Sequence, residues 1–139
     1  VIDREKEGKV ARDYRKQINI RSSSVDQATV NLSGGNQQKV VLAKWLFSGP
    51  EILILDEPTR GIDIGAHAEI IALIERLRAD GMALVVISSE IEELVAYATR
   101  VIVLSDRRHI RELTGDQISA QSIVAAMALP GDLPAEGAA

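Results

Sequence analysis

The sequence predicts an α/β fold, a largely parallel sheet flanked by helices, on three observations. Continuous apolar runs recur at Ile52–Leu55, Leu84–Ile87 and Val101–Leu104, each of strand length and apolar enough to be buried on both faces. Segments of helical periodicity separate these runs, the alternation that a parallel sheet requires. Asp56, Glu57 and Ser89 follow the carboxyl ends of the first two runs, the edge where such sheets collect their chemistry.

Taken in order, residues 1 to about 20 carry Val10, Tyr14 and Ile18 as a narrow apolar stripe, which predicts a helix. Arg21 to Gln27, with three consecutive serines, reads as a loop. A second helix is expected from Gly34 to about Ser48, stopped by Gly49-Pro50. After the first strand, a helix over about Gly65 to Ala79 places Ile70, Leu73, Ile74 and Leu77 on one face, with Asp63 as its cap and Gly81 as its stop. After the second strand, Ser89 and Glu92 form a capping-box pattern ahead of Ile91, Leu94, Val95 and Ala98. His109 to Leu113 can pair back on the third strand as a hairpin, and a final helix is expected over about Ala120 to Ala128. The tail LPGDLPAEGAA has nothing to bury and is expected to be disordered.

The chain has 139 residues, 46% hydrophobic and 26% charged, long enough for one domain with a core and too short for two comfortable ones. Aromatic residues make up only 3%, so that core must be aliphatic. The absence of cysteine excludes a disulfide framework and thiolate chemistry. A net charge of −4 argues against general nucleic-acid binding, which draws its affinity from basic phosphate contacts. No apolar run reaches bilayer-spanning length, and VIDREKEGKV does not read as a signal peptide.

Two stretches could carry chemistry. In NLSGGNQQKV, a serine and two glycines run into a helix, whose first N–H groups and positive dipole end suit an anion. The same residues also suit an ordinary N-cap and turn. In ILILDEPTRGID, the carboxylates of Asp56 and Glu57 close a buried strand, which is costly without a cation or solvent. In phosphoryl-transfer sites such a pair divides the work, one acid holding Mg²⁺ and its neighbour orienting water. A bare strand end emerging into solvent has the same appearance. His67 and His109 lack partners at metal-ligand spacing, and Arg107-Arg108-His109 is short enough to be a solvated turn. Trp45 and Phe47 read as packing residues, with one of them a candidate contact for a membrane subunit.

Together, LSGGNQQ and ILILDEPTRGID resemble the ATP-binding subunits of ABC transporters, from about Asn31 to about Met127. LSGG matches the family signature, ILILDE the Walker B strand and RGID the D-loop. The fuller wording LSGGNQQKV with DEPTRGIDIGA is similar to the second ATPase half of bacterial importers of the ribose, galactose and galactofuranose type. The resemblance implies a partial P-loop ABC-ATPase fold. Residues 1–30 would be part of the helical subdomain and a loop, 31–128 the signature and Walker B half, and 129–139 the tail. It also implies ATP and Mg²⁺ as cofactors. Ser33, Gly34 and Gly35 would contact the γ-phosphate of ATP held by a second ATPase domain, with Gln37 beside the ribose or phosphates. Asp56 would hold Mg²⁺ through water, Glu57 would polarise the attacking water, and Asp63 would signal across the interface. The implied partners are that second domain, transmembrane permease subunits and, indirectly, a sugar-binding protein, with no nucleic acid. The implied place is the cytoplasmic face of the bacterial inner membrane.

Two departures stand against the family pattern. Ser89 occupies the place of the switch histidine, so either hydrolysis at the site containing Glu57 or a regulatory, non-hydrolysing clamp half is open, and Ser89 equally suits a helix cap. A soluble, non-transport ABC-type ATPase is a third reading, opposed by the TRGID wording. No GxxxxGK[ST] loop occurs in the sequence. A helix N-terminus contributes roughly 1 kcal/mol toward an anion, whereas micromolar binding needs about 8 kcal/mol. The chain alone is therefore expected to hold ATP poorly and to be inactive. It reads as the C-terminal part of an ATPase domain, a fragment lacking the phosphate-loop strand. In the family fold that strand lies between the second and third runs. Its absence predicts a gapped sheet, with rearrangement, self-association or marginal stability as the consequence.

Overall fold

The computed structural model describes residues 3–129; most of the expected tail, residues 130–139, lies outside them. The chain divides into two compact units, Val1–Ile87 and Ser88–Ala139, each described here by itself.

In the first unit, α1 (Arg4–Gln17) starts at Asp3, whose carboxylate accepts from the N–H groups of Glu5 and Lys6. It ends at Asn19, which has φ +52°, a conformation asparagine tolerates better than most residues. A loop leads to α2 (Gly34–Phe47), which stops at Gly49 with φ +65°. Strand β1 (Ile52–Asp56), helix α3 (Ile64–Ala79) and strand β2 (Ala83–Ile87) follow. The two strands pair in parallel, with Leu53 opposite Leu84 and Leu55 opposite Val86. Ile70, Leu73, Ile74 and Leu77 are the buried face of α3, as their spacing predicts. Asp63 caps that helix, accepting from Ala66 N at 2.9 Å.

In the second unit, α4 (Ile91–Tyr97) precedes the antiparallel hairpin of β3 (Arg100–Ser105) and β4 (Arg108–Thr114), and α5 (Ala120–Met127) closes it. The hairpin loop is Asp106-Arg107, both at positive φ, the geometry that matches strand twist in two-residue loops. Arg107 thus sits in the turn, whereas Arg108 and His109 begin β4. Val101, Val103, Leu113, Ile123 and Ala126 form the core.

The α/β class holds, with one parallel pair, β1 and β2, in the first unit and one antiparallel pair, β3 and β4, in the second. The strands depart from expectation in burial. Leu53 and Leu55 are buried, but Ile52 and Ile54 on the other face are 61% and 65% exposed, and Val85 and Ile87 beside them are about half exposed. Only one face of this small sheet is covered by its own unit, so a run apolar enough for two covers has one. The N-cap position of α4 falls to Glu90 rather than Ser89, and the Glu90 side chain makes no cap bond; the hydroxyl of Ser88 takes the Glu90 N–H at 3.0 Å. Trp45 and Phe47 are 57% and 63% exposed rather than packed, although the Phe47 ring meets Tyr14 edge-on at 6.3 Å.

Helices α2 and α3 pack closely at Gly35. A Cβ placed on Gly35 would come within 2.2 Å of the Ala66 Cβ, whereas one on Gly34 would meet nothing nearer than 3.8 Å. Alanine at a helical position gains up to about 1 kcal/mol over glycine. Forcing α2 off α3 costs about 1–3 kcal/mol, and with a clash this close the upper end applies. Gly35→Ala is therefore expected to destabilise the protein by about 2 kcal/mol net, and Gly34→Ala by less than about half of that, as read from denaturant unfolding.

Candidate functional site

Ser33 is the N-cap of α2, with φ −61° and ψ 155°. Its carbonyl accepts the first helical bond, from Gln37 N at 2.9 Å. Its hydroxyl caps no backbone N–H and instead accepts from Asn36 Nδ2 at 2.8 Å. The opening N–H groups of α2 have no intrahelical acceptor by geometry. At α1, α3 and α5 a side chain of the N-cap residue supplies one; at α2, as at α4, it does not. The turn thus presents backbone donors and a hydroxyl at an exposed helix start.

The two motifs recognised in the sequence are neighbours in space. A Cβ on Gly34 would lie 3.8 Å from both the Gly61 carbonyl oxygen and Ile62 Cγ2, so the LSGG turn rests beside the RGID loop. Gly61, at φ +74°, turns that loop toward Asp63, which is committed to capping α3. Gln37 is turned inward: its Nε2 donates to Leu32 O at 2.9 Å and so ties the loop to the helix.

Asp56 ends β1 with an exposed carboxylate. Glu57, the next residue, has φ +46°, a left-handed conformation that costs a non-glycine residue about 1–2 kcal/mol. It is held there because its N–H donates to Ile87 O at 2.8 Å and its carbonyl accepts from Arg60 N at 3.1 Å. Pro58 and Thr59 are buried beneath the turn. Ser89 lies in the second unit, just before α4.

Behind the turn is a polar clamp that the sequence reading missed. Lys39 is only 2% exposed, and its ammonium donates to Asn19 O at 2.9 Å and to Glu69 Oε2. Arg21 reaches Glu69 Oε1 at 2.9 Å, and its backbone N–H donates to Asn36 Oδ1 at 2.8 Å. Glu69 therefore gathers α2, α3 and the turn after α1. The available signal was Lys39 itself, a charge on the same helical face as the buried Gly35 and Leu42.

A separate groove of about 740 Å³ lies between α1 and α2, lined by Val10, Tyr14, Val25, Val40 and Phe47 among others. It takes in Leu32 and Val40 of the NLSGGNQQKV stretch but not Ser33, Gly34, Gly35, Asp56, Glu57 or Asp63, and its apolar walls suit a hydrophobic contact rather than a phosphate. Among the described residues no three acidic or histidine side chains are grouped as a metal site, and no helix is long and apolar enough to cross a membrane.

Residues 3–60 match the ABC transporter family model, a span that contains both motifs through Arg60. The galactofuranose transporter ATP-binding protein YtfR of Escherichia coli K12 is 54% identical over 127 residues, covering 91% of this chain and 25% of that protein. The ribose import ATP-binding protein RbsA of Clostridium perfringens strain 13 is 47% identical over 123 residues, covering 88% of this chain and 25% of that protein. Over most of its length this chain is similar to ATP-binding proteins of ABC transporters. It spans about a quarter of the length of these curated relatives. Among solved structures, the dimeric ATP-binding cassette MJ0796, bound to ADP and Pi in a post-hydrolysis state, superposes with a TM-score of 0.71 at 29% identity, covering 82% of this chain and 49% of that one. A nucleotide-free cassette of an ABC transporter superposes with a TM-score of 0.73 at 21% identity, over 88% of this chain and 46% of that one, and supports the fold alone. The α/β arrangement is thus similar to part of an ABC cassette.

The clamp has a pH signature. The hydrogen bond from Lys39, then the Lys39 and Arg21 charges, hold the Glu69 carboxyl below the usual 4.5, outweighing partial burial and Asp63. A carboxyl lowered by folding contributes stability that is present above its usual value and is lost as pH falls through its folded value. The stability difference between the wild type and Glu69→Gln should therefore be present at neutral pH and shrink below about pH 4.5. A difference that stays constant into acid, measured by thermal unfolding, would exclude an ionised clamp.

Proposed function

We propose that this segment provides the signature and Walker B elements of an ATP-hydrolysing subunit that powers sugar import across a bacterial inner membrane. The carrying observation is the exposed Ser33–Gly34 turn, its helix start uncapped by the serine, set beside the Gly61–Ile62 loop. The relatives named as galactofuranose and ribose import ATP-binding proteins support the substrate class. The dimeric cassette supports pairing with a second ATPase domain.

In this reading Ser33 donates from its hydroxyl, and Gly34 and Gly35 from their N–H groups, to the γ-phosphate of ATP held by that second domain. Gln37 supports the loop from behind, by its bond to Leu32. The donor set suits Mg²⁺, which binds proteins through one or two carboxylates while keeping waters and substrate phosphates as its other ligands. Asp56 is the carboxylate that would hold it, through water. Bound there with ATP, the ion supplies charge neutralisation for the transferring phosphoryl group. Glu57 accepts a proton from, and orients, the attacking water. Asp63 relays the state of the site by holding the start of α3 beside the signature turn. ATP closes the two domains as a clamp and hydrolysis reopens them. Transmembrane permease subunits anchor the protein at the cytoplasmic face, and the exposed Phe47 beside the apolar groove is a surface suited to them. A sugar-binding protein delivers the cargo.

Ser89 favours a second reading, in which this half binds nucleotide and regulates without turning it over, because a hydroxyl cannot replace the imidazole of the family pattern. Glu57→Gln in the full-length protein separates the two. Loss of a base that orients water is expected to lower the ATPase rate by about a hundredfold, whereas an unchanged rate would favour the regulatory half.

A further inference from the structure

We propose that Asn36 is a positioning residue that fixes the direction in which the Ser33 hydroxyl donates, an inference resting on the reading of Ser33 as a phosphate donor. The chemistry of the neighbours leaves one orientation for the amide. The Arg21 backbone N–H is a donor only, so the Asn36 atom 2.8 Å away is its carbonyl Oδ1. The NH₂ end then faces Ser33 Oγ at 2.8 Å, and an amide NH₂ is also a donor only. Ser33 Oγ is therefore the acceptor in that bond, and its proton must point elsewhere.

The orientation is enforced from further back. The Arg21 guanidinium bonds Glu69 at 2.9 Å, and Lys39 joins Glu69 to the Asn19 carbonyl, which it reaches at 2.9 Å. Helix α3 thus holds the 19–21 turn, the turn holds the amide, and the amide holds the hydroxyl. A serine at a helix start ordinarily turns inward to accept from the backbone two or three residues on. Ser33 does not do so. With Asn36 in place, the serine keeps its proton for an acceptor outside the chain, as an anionic phosphate oxygen requires.

The test uses the full-length ATP-binding protein containing this segment, assembled with its partner subunits, with ATPase rate measured against ATP concentration. Asn36→Ala frees the hydroxyl and is expected to lower kcat/KM by about tenfold, the size of one hydrogen bond to a charged group. Asn36→Asp keeps the acceptor for Arg21 but presents a second acceptor that takes the Ser33 proton, so it should lower kcat/KM further while leaving the melting temperature near that of the wild type. In a Ser33→Ala background, Asn36→Ala should change kcat/KM by less than about twofold, because its effect runs through the hydroxyl. Undiminished loss in that background, or a wild-type rate for Asn36→Asp, overturns the positioning role while leaving Ser33 a phosphate contact. A wild-type rate for Ser33→Ala overturns both.

Discussion

Helix α2 lies against α3 only because position 35 has no side chain. The 2.2 Å separation that a Cβ there would have from Ala66 leaves no room for another residue without moving a helix. That contact sets Gly34 beside Gly61 and Ile62, brings Lys39 to Glu69, and through Glu69 reaches the turn carrying Asn19 and Arg21. The shape of the signature turn follows from it. A buried ammonium is costly unless paired and hydrogen-bonded. Here the pairing also ties together three separate parts of the first unit.

The second constraint is the uncovered face of the parallel pair. Ile52, Ile54, Val85 and Ile87 point the same way and remain largely exposed. Exposed aliphatic side chains on a two-stranded sheet are a contact surface rather than a finished exterior. The solved cassette MJ0796 is about twice as long as the part this chain matches.

Local signals in the sequence were reliable where local physics decides. The α3 stripe of Ile70, Leu73, Ile74 and Leu77, the Asp63 cap and the glycine stops depend on neighbours three or four residues apart, and all are found where the spacing puts them. Burial of the strands could not be read, because it depends on which layers surround them. The capping pattern at Ser89 gave way to Glu90, with Ser88 accepting the N–H there. Of the site, the outward Ser33 turn and the strand-end acids were legible as motifs. Asn36, Lys39 and Glu69 were not, since the bonds joining them to Arg21 and Asn19 span 15 to 48 residues of sequence. The left-handed Glu57 was equally hidden, because its strain is held by a bond from a distant strand, at Ile87.

The central claim is that the phosphate served by Ser33 belongs to another domain. The most direct measurement is disulfide cross-linking in the full-length protein, assembled with its partners, from Asn31→Cys to cysteines placed beside each phosphate loop in turn. A shared site predicts an ATP-dependent cross-link to the phosphate loop of the opposite ATPase domain. A cross-link to the loop of its own domain, unchanged by ATP, would contradict it.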